Sequence, residues 1–440
     1  MHKYLPQTES DIQNMLKSIG VKDIKALFKD VPESIYLTKE IKIGKPLSED
    51  ELFKHFEVLA NKNKTNICLL GGGVYDHYVP SVIPALVARQ EFLTSYTPYQ
   101  PEISQGTLQY IFEYQSFISE LTGLEVSNAS LYDGATATAE AMLLACGATR
   151  KDKIAISSAL NPRLIDVIKT YASKRNIKVI EIELIKGRTS LKAFNKINDG
   201  SLAGVIIQTP NYFGLLEDAT PFSAAIKENK GLSIVAVNPL SLGLFKSPLE
   251  MGIDVAVGDG QSLGIPMGFG GPYIGFMATN KTYMRKLPGR IVGSSLDSEG
   301  KRAFVLTLQA REQHIRREKA TSNICSNESL MALWVSIYLA CLGNKGLVDI
   351  GNLNLENAHY AYKKIISLPH FKKVYDADFF NEFVVETDLS LKTIDRVLLK
   401  NGYTSGIHVG PHQIMFAITE RRSQAEIDHL VELLGGIKHV

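Results

Sequence analysis

The sequence predicts an α/β protein whose large domain is built on a mostly parallel central sheet. Three observations carry this. Between about Cys68 and Thr279, short apolar runs alternate with helical stretches, and strands separated by helices pair in parallel with helices on both faces. Two short amphipathic helices precede them. After the basic run around Arg316 the order changes to a long apolar helix followed by alternating strand and helix. The expected organisation is a helical arm over residues 1–65, the large domain over 66–315 and a smaller C-terminal α+β domain over 316–440. With 440 residues, 45% of them hydrophobic, the chain has the length for two or three domains and the apolar content for a large core.

In chain order, Thr8 with Asp11 has the form of a capping box, and Ile12, Met15, Leu16 and Ile19 recur at helical spacing before Gly20. Ile24, Leu27, Phe28 and Val31 form a second face, ended by Pro32. Helices this short are unstable alone, so the arm is expected to clasp the main domain or a partner subunit. Strands are expected at 153–157, 178–184, 203–208, 232–237, 254–257 and 273–278, with helices at 135–148 and 162–174 among them. The apolar stretch from Leu330 to Leu342 is shorter than the roughly 20 residues of a membrane span and reads as a buried helix. A strand at 380–386, a helix at 391–399, a strand at 413–418 and a helix at 424–434 complete the chain.

Composition narrows the function. A net charge of +2, from 48 basic and 46 acidic residues, gives no long-range field to attract nucleic acid or an acidic membrane. The opening MHKYLPQTES has no apolar core of a signal peptide, which points to the cytoplasm. Cys68, Cys146, Cys325 and Cys341 lack metal-site spacing and read as reduced thiols, with all but Cys325 expected in the core.

A long helix leaving a large sheet domain for a small C-terminal domain resembles the organisation of fold type I pyridoxal phosphate (PLP) enzymes. Such an enzyme needs a lysine for the Schiff base, an acid at the pyridinium nitrogen and a helix N-terminus for the phosphate. The lysine is expected after strand 254–257, in GDGQSLGIP, yet no lysine lies between Lys246 and Lys281, and Gln261 stands at the best-fitting position. The acid is expected at the end of the preceding strand, where VAVNPLSLG offers Asn238 and no Asp or Glu occurs from Gly231 to Pro248. The phosphate helix would start at Gly134, behind Asp133, whose carboxylate caps the helix and repels a dianion. Three losses together make this cofactor site a vestige.

Four other segments stand out. GGGVYDHYVP (71–80) brings three glycines ahead of His77 and Tyr78 and reads first as a tight turn. TSYTPYQPEISQG (94–106) sets Tyr96, Thr97, Tyr99, Gln100, Glu102 and Gln105 around two prolines, a stiff loop suited to a substrate tunnel or a subunit interface. GFGGPYIGF (268–276) lies between two strands, where close backbone packing explains its glycines. In REQHIRREKATSNIC (311–325), Arg311, His314, Arg316, Arg317 and Lys319 fall on an expected helix, either a solvated basic face or a socket for a carboxylate.

The strings YLPQTESDIQNML, YTPYQPEISQG, NASLYDGATATAEA, VNPLSLGLFKSPLEMGIDVAVGDGQSLGIP and REQHIRREKATSNIC resemble the glycine cleavage system P-protein family, in its N-terminal-type (alpha, subunit 1) form. The resemblance covers nearly the whole chain. It implies that the PLP lysine lies on a separate C-terminal-type (beta) subunit, so that Gln261 is the residue expected here. It also implies decarboxylation of glycine, with the aminomethyl group passed to the lipoyl arm of H-protein. His77, Tyr78, the loop from Tyr96 to Gln105, Arg311, His314 and Arg316 become candidates for an interface or an active-site lining. Asp133, Gly134, Asn238 and Gln261 would be the vestigial cofactor site, with no catalytic residue and no metal on this chain. The implied assembly is a heterodimer or a dimer of heterodimers. Two other readings stand beside this one: a structural or regulatory partner that contributes nothing to the active site, and an independent PLP enzyme using Lys246 or Lys281.

Overall fold

The computed structural model describes residues 4, 6–37, 39, 41–320 and 322–438, so Thr321 of the 311–325 motif and part of the opening MHKYLPQTES lie outside the described residues. The chain forms two compact units, divided between Lys64 and Thr65.

In the first unit the helix Glu9–Ile19 carries the expected capping box. Thr8 N donates to Asp11 Oδ2 at 2.8 Å, and Asp11 N donates to Thr8 Oγ1 at 3.2 Å. It stops at Gly20, whose φ of 82° suits a residue without Cβ. The second expected helix is only a 3₁₀ turn, Ile24–Phe28, capped by Asp23. A further helix, Glu49–Ala60, begins with a capping box of Ser48 and Glu51 that was readable in the sequence as S-x-x-E. Ile24, Leu27, Phe28, Leu52, Phe53 and Phe56 are exposed.

The second unit is built on a seven-stranded sheet: β1 (Val126–Ser127), β2 (Lys153–Ser157), β3 (Lys178–Ile182), β4 (Leu202–Thr209), β5 (Leu232–Val237), β6 (Val255–Asp259) and β7 (Gly275–Thr279). The spatial order is β1-β7-β6-β5-β4-β2-β3. Pairings from β3 to β6 are parallel, as expected, whereas β7 runs antiparallel to both β6 and β1. Successive side chains of a strand alternate in direction, and here both faces are covered. Val205, Ile207, Val235 and Ala256 pack on one side with Leu108, Ile111, Val335 and Tyr338. Ile206, Ile234, Ala236 and Val257 pack on the other with Ala137, Ala141 and Ile168 from the helices Gly134–Thr149 and Pro162–Ser173. The strands read as continuous apolar runs for this reason.

The helix Ser329–Ile366 leads from this sheet to the C-terminal one and breaks at Gly343 (φ 60°). By length and composition it is the one described helix able to cross a membrane, but Met331, Val335, Tyr338 and Leu339 are buried in the sheet domain, which accounts for its apolar content. Cys341, expected in the core, is exposed because it sits in the last turn before that break. The C-terminal sheet has four antiparallel strands in the order Phe371–Lys373, Glu382–Thr387, Gln413–Ala417, Ile407–Gly410. The helices Leu391–Lys400 and Gln424–Gly435 bury Ile394, Leu398 and Leu430 against Phe383 and Phe416.

Candidate functional site

The parallel strands end at one cleft of about 280 Å³. β2 leads to Asn161, β4 carries Gln208 one residue from its end and leads to Pro210, β5 leads to Asn238 and β6 ends in Asp259, and all of these residues line it. Gly72 to Tyr75 and the start of the helix Gly134–Thr149 form the opposite walls. The carboxyl ends of parallel strands are where such sheets open to ligands.

A PLP cofactor would make three demands of this cleft. Gln261, where a lysine would be needed, is buried and its amide is fully used. Nε2 donates to Tyr75 O at 2.9 Å and to Ile265 O at 2.8 Å, and Oε1 accepts from Tyr75 N at 2.9 Å. No lysine lines the cleft among the described residues. Asn238 accepts from Leu240 N at 3.1 Å and Ser262 Oγ at 3.0 Å, and its buried Nδ2 has no partner. It cannot hold a pyridinium proton as a carboxylate does. At the helix start, Gly134 N donates to Asp259 Oδ2 at 3.0 Å and Thr136 N to Asp133 Oδ1 at 2.7 Å. Amides that would bind a phosphate are therefore already committed to carboxylates. The residues present do not fit PLP.

Asp259, two residues before Gln261, carries no signal of its own in the sequence. Burial pushes its carboxyl up to about 7, helped by the charge of Asp133 and opposed by hydrogen bonds from Gly134 N and Gln261 N. Gly134 makes this approach possible, since a Cβ there would lie 2.9 Å from Asp259 N.

Glu382, on the C-terminal sheet, was also missed. It is buried, accepts from Gly72 N at 2.5 Å and Tyr75 Oη at 2.7 Å, and burial pushes its carboxyl up to about 7 despite those donors. The glycines of 71–73 therefore do more than turn. A Cβ on Gly71 would lie 2.0 Å from Glu382 Oε1, so the cluster wraps a buried acid.

His77 is in the interior, not on a lining surface. Its Nδ1 pairs with Glu420 Oε2 at 2.7 Å, and Glu420 Oε1 also accepts from Tyr78 N at 2.6 Å, leaving the Tyr78 side chain outside. In the loop from Tyr96 to Gln105, the side chains of Tyr96, Tyr99, Gln100 and Glu102 are exposed. Gln105 anchors the loop through paired bonds with Phe304, to its O at 2.9 Å and from its N at 2.8 Å. Tyr99 meets two residues from elsewhere. Arg290 donates to its Oη at 3.1 Å and lies over the ring at 5.2 Å, and His314 sits edge-on at 6.1 Å. Arg290, buried and also bonded to Asn327 at 3.1 Å, had no signal in the sequence. With Tyr96 and Thr97 it lines a second hollow of about 230 Å³.

The basic segment departs from expectation. In place of one helix there are three short pieces, Gln309–Arg311, Gln313–Arg316 and Arg317–Lys319, interrupted where Arg317 takes a φ of 52°. Arg311 is turned inward, donating to the carbonyls of Leu308 (3.0 Å), Gly289 (2.9 Å) and Leu287. Arg316 stays outside, with Nε on Ala310 O at 3.2 Å. In GFGGPYIGF, only the later part is packed. Phe269 is fully exposed, whereas a Cβ on Gly275 would meet Asp133 O at 2.2 Å.

Comparison with known proteins sets this geometry in context. The family described as glycine cleavage system P-protein matches residues 2–434. The chain is 50% identical to the probable glycine dehydrogenase (decarboxylating) subunit 1 of Moorella thermoacetica, over 99% of each chain. A solved glycine decarboxylase (P-protein) of the glycine cleavage system, in inhibitor-bound form, superposes with a TM-score of 0.89 at 42% identity, over 98% of this chain and 99% of that one. Glutamate decarboxylase of Lactobacillus brevis shares the fold alone, with a TM-score of 0.69 at 13% identity over 93% and 95% of the two chains. The chain therefore has the PLP-enzyme fold type I and belongs to the glycine cleavage system P-protein family, in its subunit 1 branch.

Proposed function

We propose that this chain is the subunit of a two-subunit glycine-decarboxylating P-protein that does not bind PLP. A C-terminal-type (beta) partner would hold the cofactor, and the lipoyl arm of H-protein would accept the aminomethyl group from glycine. The observation that carries this reading is the side chain of Gln261, which stands at the lysine position with all of its amide bonded to backbone. An amide so held offers no nucleophile. The four cysteines are unpaired, in keeping with a reducing cytoplasm.

The contribution of this chain to catalysis is assigned to the loop from Tyr96 to Gln105 at the subunit interface. Its exposed Tyr96, Tyr99 and Gln100 are presented on a base fixed by Gln105 and Arg290, which is how a rigid lining would be built. His314, edge-on to Tyr99, extends the same surface, and Arg311 braces the chain at Gly289 beside Arg290. The assembly is a heterodimer or a pair of heterodimers.

The test is exchange of labelled carbon dioxide into the carboxyl group of glycine, with H-protein and PLP supplied. Activity is expected only when this chain and its partner are mixed. Activity of this chain alone would refute the reading, and full activity of the partner alone would reduce this chain to a scaffold.

A further inference from the structure

The glycine-rich span 71–75 is fixed at both ends and laid over a buried acid. At one end Ile67 and Cys68 pair with Tyr403 and Thr404, and Leu69 O accepts from Ala417 N at 3.0 Å. At the other, Asp76 is held by Arg421 and by Arg422 Nη2 at 3.0 Å, and its carbonyl accepts from Thr419 Oγ1 at 2.7 Å. His77 adds its pair with Glu420. Both ends therefore belong to the C-terminal domain. Between them the span meets that domain through Glu382 and the sheet domain through Gln261 and Asn161, so the two domains join along it.

Glu382 has no cation to answer its charge. It is 3% exposed, forms no ion pair among the described residues, and meets the span with each oxygen, Gly72 N at 2.5 Å and Tyr75 Oη at 2.7 Å. Gly214 lies against its backbone from the turn after β4, which also brings Tyr212 within reach of its charge, and Ala417 lies beside it on the next strand. Ile407 and Met415 border Gly72. A second enclosed acid, Asp259 of β6, acts on Tyr75 from the sheet-domain side. A hydroxyl both donates and accepts, so the Tyr75 contact survives either state of Glu382. Loss of the proton leaves a buried charge without a partner, which water relieves. The span lies directly on the carboxyl, since a Cβ on Gly71 would come within 2.0 Å of Oε1, so water reaches it when the span lifts. Gly72 and Gly73, with φ of 71° and 106°, leave the chain between the fixed ends free to make that movement.

We propose that the span 71–75 is a proton-operated latch between the two domains of this subunit, shut while Glu382 carries its proton and lifting off the carboxylate when the proton leaves. Burial, which pushes the Glu382 carboxyl up to about 7, puts the change near neutral pH. The shut form keeps the proton up to about pH 7, and the lifted form, open to water, releases it near 4.5, so opening becomes easier as pH rises between those values. Residues 72–75 also wall the cleft at the strand ends, so a lifted span admits water there. The latch depends on this fold alone and not on the assignment as a P-protein subunit.

The test is hydrogen exchange of the full chain, read by mass spectrometry from about pH 5 to about pH 8 and corrected for the intrinsic pH dependence of amide exchange. Peptides covering 71–75 should be less protected than those covering β5. Their protection should fall by about tenfold per pH unit up to about pH 7 and then level off, as the loss of one proton requires. Glu382→Gln keeps the size and an acceptor but cannot ionise, and it should remove most of that slope. Exchange of the span in step with β5 at every pH, a protection of the span independent of pH, or a slope undiminished in Glu382→Gln would overturn the proposal. The first two readings need no variant, so they decide the matter if Glu382→Gln does not fold.

Discussion

Replacing Gln261 by lysine restores the residue type of a PLP enzyme at its expected place, and it should produce a less stable protein that forms no aldimine. Gln261 is 1% exposed and holds both backbone polar groups of Tyr75 and the carbonyl of Ile265. Lysine has donors only, so Tyr75 N–H loses its acceptor, at about 1–3 kcal/mol. Its ammonium must also leave water or give up its proton, which adds about 2 kcal/mol even with two carbonyls nearby. The sum is about 3–5 kcal/mol, large for one substitution. For a domain of this size that is a fall in Tm of about 5 °C or more, read by thermal unfolding of the two proteins side by side. With PLP added, the variant should show no visible aldimine absorption and no adduct fixed by borohydride. A Gln261→Lys protein that keeps the parent Tm and forms a reducible adduct would refute the argument that this cleft has lost its fit to the cofactor.

Three further outcomes are expected. Burial holds the Glu382 carboxyl protonated up to about pH 7 in the folded chain, whereas the unfolded chain releases that proton near 4.5. The folded state then binds more protons between those values, so its stability falls as pH rises through them, by up to about 3 kcal/mol. Glu382→Gln removes this titration and should gain about 1–3 kcal/mol on the parent between about pH 4.5 and pH 8, measured from urea midpoints; a change of opposite sign would sink the assignment. Gly71→Ala drives a Cβ to within 2.0 Å of Glu382 Oε1 and 2.7 Å of Ala417 Cβ, and should cost about 3 kcal/mol in chemical denaturation. Tyr99→Phe and Gln100→Ala should lower turnover of the assembled enzyme severalfold while the two subunits still co-elute, and normal kinetics in both would discard the loop as a lining.

The parts of the fold legible in the sequence were those set by local pattern. Lys153–Ser157 and Leu232–Val237 matched the expected strands to the residue, because a strand covered on both faces is a continuous apolar run bounded by polar residues. Val126–Ser127 is too short to show any periodicity, and the direction of β7 depends on a turn through Gly268–Pro272 that no apolar pattern encodes. Gln261 was legible as a departure because a lysine is expected at a defined place after its strand. Its surroundings were not: Gly72 meets Glu382 across 310 residues of chain, a pairing that only the packed fold creates. The basic run misled for a related reason. A charge run ordinarily marks a solvated face, but Arg311 is consumed by carbonyls of Leu308 and Gly289, and an arginine that braces a loop reads in sequence like one that faces water.

These contacts explain why the lost lysine is not a single loss. The segment from Gly71 to His77 is tied on four sides: by Gln261 to the end of β6, by Asn161 Nδ2 on Gly72 O at 2.6 Å to the end of β2, by Glu382 to the C-terminal sheet, and by His77 to Glu420. Tyr75 stands at the centre, its backbone on Gln261 and its hydroxyl on Glu382. A catalytic lysine must release a carbonyl partner and move during turnover, whereas Gln261 serves by staying fixed. Reverting residue 261 alone would break this seam and still leave Asp133 and Asp259 on the amides a phosphate would need. Reverting the carboxylates alone would open an anion site with nothing to attach the cofactor. Neither single step toward a working cofactor site gains function, and the first loses stability, which under the function proposed above is a physical reason for this subunit to stay without cofactor.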